Sequence, residues 1–196
     1  MRKNDLFKRR KSSKQEKRFV RWLRISGICI ISTSMILNYT KSLAYVATGY
    51  KFDEPRHIYY FLASSASTYK TILNNTVPTW NVYTSVNITK TSSETKANIK
   101  LYYDGANGNS YATTNRTDRN HYQIYFHKPF SNLSDLKKKE TILHEVGHAL
   151  GLDHTQVENY SRSIMWDGQN GTHFHNVAYP LADDTNGIKN IYNFYK

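Results

Sequence analysis

The sequence predicts one α+β domain behind a targeting segment, and three observations carry that prediction. Five short β-rich runs lie between residues 56 and 127. The hydrophobic period then changes once, to a helical stripe that ends at Gly151. After that the chain is turn-rich up to a short closing helix. A length of 196 residues allows one domain with a real core and leaves little room for a second. With 39% hydrophobic and 14% aromatic residues, including 16 tyrosines, the chain is too rich in core-forming side chains to be disordered. There is no internal repeat, Pro/Gly-rich linker or low-complexity run.

The net charge of +12 is unevenly placed. Residues 1–24 hold eleven Lys or Arg against Asp5 and Glu16, so the rest of the chain carries only sixteen basic against thirteen acidic residues. Basicity confined to a tail excludes a nucleic-acid-binding domain as its explanation. Directly behind the tail, ISGICIISTSMIL (25–37) is an apolar run, and Ser42 and Ala44 supply small side chains before a cut after Ala44. A basic region (1–24), a short apolar region (25–37) and a small-x-small site form the pattern of a secretory signal peptide over residues 1–44. About 20 apolar residues are needed to span a bilayer, and this run is shorter and holds Ser32, Thr33 and Ser34. Cleavage is the expectation, retention as a membrane tether the alternative. Either route exports residues 45–196. Cys29, the one cysteine, lies in the apolar run, so the mature chain has neither disulfide nor thiol.

RHIYYFLAS (56–64) reads as a strand, and Tyr69, Ile72, Leu73 and Val77 fall near helical spacing, predicting a helix from about Ser65. SVNITKT (85–91), ANIKLYY (97–103), SYATTN (110–115) and HYQIYFH (121–127) give the other strands. Leu136, Ile142, Leu143, Val146, Ala149 and Leu150 then form the stripe of the longest helix, capped near Asn132 or Ser134 and stopped by Gly151. DDTNGIKNIYNFYK predicts a closing amphipathic helix capped by Asp183 or Asp184.

ILHEVGHALGLDH, at 142–154, crowds three histidines and one glutamate onto the end of the long helix. His144 and His148 are one turn apart, so both imidazoles leave the same face with Cβ atoms about 6 Å apart. Glu145 points about 100° round the helix, in reach of a metal-bound water but out of line to ligate. Gly151 takes a left-handed conformation at little cost, and the chain turning back there brings His154 round as a third imidazole. Three nitrogen ligands with an open fourth position are the parts of a catalytic zinc site. A lone histidine is more often a surface or core residue, but the joint occurrence of five such positions is far rarer than chance allows.

His144, Glu145, His148, Gly151 and His154 match the H-E-x-x-H-x-x-G-x-x-H signature, and in it the chain resembles the metzincin zinc peptidases. Met165, in SRSIMWDG, is placed where metzincins have the methionine of a tight turn beneath the metal. Thr155 is similar to the serine that follows the third histidine in matrixins. The Ser163-Ile164-Met165 triplet and the 183–192 stretch also resemble matrixin elements. The resemblance implies a twisted, mostly parallel sheet with an antiparallel edge strand, an active-site helix and a loop-rich C-terminal subdomain. It implies zinc held by His144, His148 and His154, Glu145 as general base, and Gly151 and Met165 as structural support. An extended peptide would pair with the edge strand around Tyr111 to Thr114, with Tyr111 and Thr113 among its contacts, while Phe174 and Tyr179 shape the pocket wall.

The chain also departs from matrixins. Asp167 stands where they usually have proline, no tyrosine occupies that position, no propeptide cysteine supplies latency, and the His-x-Asp pattern of a structural zinc is missing. The segment 104–109 lies where matrixins have a calcium (Ca2+) loop; it reads first as a Gly/Asn turn, with calcium the alternative. His173 and His175 would share one side of a strand and, with His121 or His127, form half of a second metal site. A local role at the pocket rim is the stronger reading for that pair.

The expected function is a secreted, monomeric endopeptidase of bacterial type using one zinc ion (Zn2+) on protein or peptide substrates, touching a membrane only through its export segment. The alternative is a cell-surface module that keeps fold and zinc but little activity; loss of Glu145 would mark it, and Glu145 is present.

Overall fold

The computed structural model describes residues 45–166 and 174–194. The segment 1–44 read as a signal peptide, together with Asp167 and His173, lies outside the described residues. Among those described, no helix is long and apolar enough to cross a membrane.

The strands are β1 (Val46–Ala47), β2 (Ile58–Leu62), β3 (Ile88–Lys90), β4 (Ile99–Tyr103), β5 (Ala112–Asp118), β6 (His121–Phe126) and β7 (Leu152–Asp153). The helices are α1 (Lys70–Thr76), α2 (Trp80–Tyr83), α3 (Lys128–Ser131), α4 (Asp135–Ala149) and α5 (Ala182–Ile191). Five strands form one sheet in the order β3-β2-β4-β6-β5, parallel except for β5, which runs antiparallel to β6 at the edge. This is the mixed α/β sheet expected of a metzincin catalytic domain.

Alternation decides which face is covered. Tyr122, Ile124 and Phe126 of β6 are buried while the residues between them are half-buried, and Ile99 and Leu101 repeat the pattern on β4. Onto the buried face packs α4 with Ile142, Leu143, Val146 and Ala149, all inaccessible to solvent. The Ile142, Leu143 and Val146 side chains each contribute roughly 1.5–3 kcal/mol on leaving water. Trp80, fully buried, packs on α4 beside Gly147 and donates its ring N–H to the Leu143 carbonyl at 3.3 Å.

Three expectations need correction. The helix foreseen from Ser65 opens as a 3-10 turn (Ser64–Tyr69) and becomes α-helical only at Lys70. Leu136 is 39% exposed, because the first turn of α4 protrudes from the core and full burial starts at Glu140. The closing helix is capped at Leu181, one turn before Asp184, whose carboxylate reaches back to accept the Leu181 N–H at 2.7 Å. Asp184 thus fills the reciprocal N3 place of a capping box rather than the cap itself.

Candidate active site

The last two turns of α4 present His144, Glu145 and His148. Leu150 ends the helix, and Gly151 follows at φ +104°, where a Cβ would collide with the Tyr50 carbonyl oxygen. The chain then pairs as β7 with β1, and Asp153 accepts the His154 N–H at 2.7 Å, bringing the third imidazole round. The three Nε2 atoms lie 3.0–3.1 Å from one another.

Backbone carbonyls fix how two of these rings are protonated. His144 Nδ1–H donates to the Ile164 carbonyl at 2.8 Å and His148 Nδ1–H to the Leu152 carbonyl at 2.9 Å. With Nδ1 protonated, each Nε2 turns a lone pair toward the common centre. Burial and the neighbouring His144 hold His148 down to about 4, so it is neutral near pH 7. Converging lone pairs repel unless a cation lies between them, so the donor set fits a divalent transition metal. This is the one cluster of three metal-ligating side chains among the described residues.

Glu145 is almost fully buried, and its Oε2 accepts the Thr114 hydroxyl of β5 at 2.6 Å. Burial raises its carboxyl above the ordinary carboxylate range, with His148 and the Thr114 bond pulling the other way. Met165 is buried, its carbonyl accepting the Thr155 N–H at 3.0 Å. Its thioether packs on Gly147, where a Cβ would come within 2.6 Å of the sulfur. Asp184 clamps this turn from α5, accepting Ser163 Oγ at 2.5 Å and the Ile164 N–H at 3.0 Å.

The histidines open onto a cleft of about 710 Å³ that Tyr111, Thr113, Thr114, Arg116, Ile164 and Phe174 help to line. Tyr111 and Thr113 are therefore brought to the site. Tyr179 is not among the lining residues; its ring stacks on Tyr83 with centroids 5.9 Å apart. The other histidines are engaged elsewhere. His175 Nδ1 faces the buried Glu140 carboxylate at 3.2 Å and Nε2 donates to the Tyr160 carbonyl at 2.5 Å, so it is packed inside rather than set at a rim. His121 bonds Asp118, and His127 bridges Asp104 at 2.9 Å to Thr113 at 3.1 Å, and neither joins His175 in a metal-ligating cluster among the described residues. Asp104, in the segment weighed as a calcium loop, spends its carboxylate on His127 and on the Ala106 N–H.

Sequence reasoning set Thr114 on the edge strand and Asp184 at a helix start without their bonds to Glu145 and to the methionine turn, and it missed Glu140 and Gly147. Only Gly147, a helix-interior glycine beside the histidines, carried a local signal.

Sheet, helix and histidine triplet together define a metallopeptidase-type catalytic domain. The Matrixin family model matches residues 121–193, the half of the domain that holds all three histidines and Met165. Among solved structures, one of myroilysin is 17% identical with a TM-score of 0.56, covering 76% of this chain and 98% of that one. A GM1-bound ECX AB5 holotoxin chain is 16% identical with a TM-score of 0.55, covering 75% and 88%. A second myroilysin structure is 18% identical with a TM-score of 0.51, covering 79% and 88%. Comparison with curated protein sequences gives no match. The chain is thus similar to the matrixins over residues 121–193 and shares the fold of these solved structures.

Proposed function

We propose that the chain is an exported, monomeric, zinc-dependent endopeptidase with Glu145 as its general base. The observation that carries this reading is the meeting of three Nε2 atoms 3.0–3.1 Å apart in a cleft whose wall is an edge strand bonded to Glu145. Bound by His144, His148 and His154, zinc would supply Lewis acidity, lowering the pKa of its water to about 7 and polarising the substrate carbonyl. The chain's own groups do the rest. β5 offers its free edge to an extended peptide, which adds as a further strand. Glu145, held on one side by Thr114, takes the water proton on its carboxylate and returns it to the departing amine. Its burial favours the protonated form, the form that acts as the acid in the second half of the reaction.

The test is a zinc assay on the purified full chain combined with hydrolysis of casein. One zinc per chain with casein cleavage that stops on chelation is expected. Zinc binding without cleavage of casein or of a peptide library would favour the binding-module alternative. Export rests on the 1–44 pattern, and N-terminal sequencing of the secreted protein should begin at Tyr45.

A further inference from the structure

The cleft has two dissimilar ends. One is narrowed by Tyr111 and Phe174, whose ring centroids are 5.6 Å apart. The other is built by Thr48, Tyr50, Asn115, Arg116 and Tyr122. Side chains alternate along β5, so Arg116 leaves the same face as Thr114, about 7 Å further along the strand. The register sets Arg116 opposite Tyr122 of β6.

Arg119 pairs with Asp53 and Arg162 with Asp183, whereas Arg116, like Arg56 over Phe194, has an aromatic ring rather than a carboxylate as its contact among the described residues. The Arg116 guanidinium carbon sits 4.0 Å from the centre of the Tyr50 ring. Stacking fixes the plane of the guanidinium while leaving its N–H edge free to donate. Beside it, in a residue only 4% exposed, lies the Tyr122 hydroxyl, which the Arg116 guanidinium approaches closely enough to oppose the upward pull of burial on its pKa. Arg116 is also the one permanent cation among the described residues lining the cleft. The two carboxylates there are already engaged: Glu145 by Thr114, and Glu140 by the Val177 N–H at 3.1 Å and the His175 N–H at 2.8 Å.

We propose that this end of the cleft is a subsite for an acidic side chain, in which Arg116, braced by Tyr50 and backed by Tyr122, receives the carboxylate of an Asp or Glu in the bound peptide. The inference rests on the peptidase reading and adds a substrate class to it. A peptide paired with β5 places the residue opposite Arg116 two positions from the one opposite Thr114, and directly opposed residues project to the same face. The acidic residue therefore sits about two positions from the scissile bond, on the side away from Phe174.

Mass-spectrometric mapping of cleavage sites in a proteome-derived peptide library tests this with the zinc-loaded full chain. Enrichment of Asp and Glu at that position is expected. In a matched peptide pair, Glu should be preferred over Gln by roughly fivefold in kcat/KM at low salt, the scale of a partly exposed ion pair, and the preference should shrink as salt rises. Arg116→Gln should remove the enrichment and Arg116→Glu should replace it with Lys and Arg. A wild-type profile with no acidic bias there, or a bias unchanged in Arg116→Gln, overturns the proposal. Binding of the same peptide pair to Glu145→Gln protein, read by fluorescence anisotropy, separates the two claims. Selective binding without wild-type turnover supports the subsite and defeats the peptidase reading; turnover without selectivity does the reverse.

Discussion

The histidines of the cleft and those just outside it are the same chemical group under opposite constraints. His144 and His148 each give Nδ1 to a backbone carbonyl and turn Nε2 toward the other imidazoles of the triplet. His127 and His175 have both ring nitrogens engaged, by Asp104 and Thr113 in one case and by Glu140 and the Tyr160 carbonyl in the other. A histidine satisfied on both nitrogens is a strut. One satisfied on a single nitrogen, with its lone pair aimed at two like neighbours, is an unfinished coordination sphere.

The sharpest way to break that distinction is to delete one ring from each class. His148→Ala should abolish proteolysis and take bound zinc from one per chain to none, whereas His127→Ala and His175→Ala should retain the metal; elemental analysis of the purified proteins reads both. Next in size is Glu145→Gln. Zinc content should stay at one while casein hydrolysis falls by roughly 10²–10⁴, the usual contribution of a general base; near-normal activity would mean that another group takes the proton. Smaller again is Glu140→Ala, which strips the partner from the His175 and Val177 N–H groups and should cost about 3 kcal/mol in thermal unfolding, with zinc still bound. The mildest is Met165→Leu. If the thioether is packing and not a ligand, stability should drop by less than about 1.5 kcal/mol and zinc stoichiometry should not move.

What could be read from the chain beforehand follows the same division. The unfinished coordination sphere lies within eleven residues, on one helix end and the turn after it, so spacing alone shows His144, His148, Gly151 and His154. The strands were visible for a related reason, since alternation along HYQIYFH is local. The struts were hidden. Glu140 finds His175 35 residues later, and Thr114 reaches Glu145 across 31, through contacts that no periodicity encodes. Asp184 looked like a cap because aspartate at a helix start usually is one; its pull toward Leu181, Ser163 and Ile164 exists only once α5 is docked on the methionine turn. Tyr179 was placed in the pocket wall from its position in the chain, and its preference for the Tyr83 ring had no sequence mark.

The pairing of β1 with β7 links the start of the described domain to the third histidine of the triplet. Val46 and Ala47 hydrogen-bond the two residues immediately before His154, and the Thr48 N–H donates to the Gly151 carbonyl at 3.0 Å. A chain cut after Ala44 would keep that latch with one residue to spare, whereas one shortened by a few more positions would lack β1 and with it the pairing that braces the turn carrying His154.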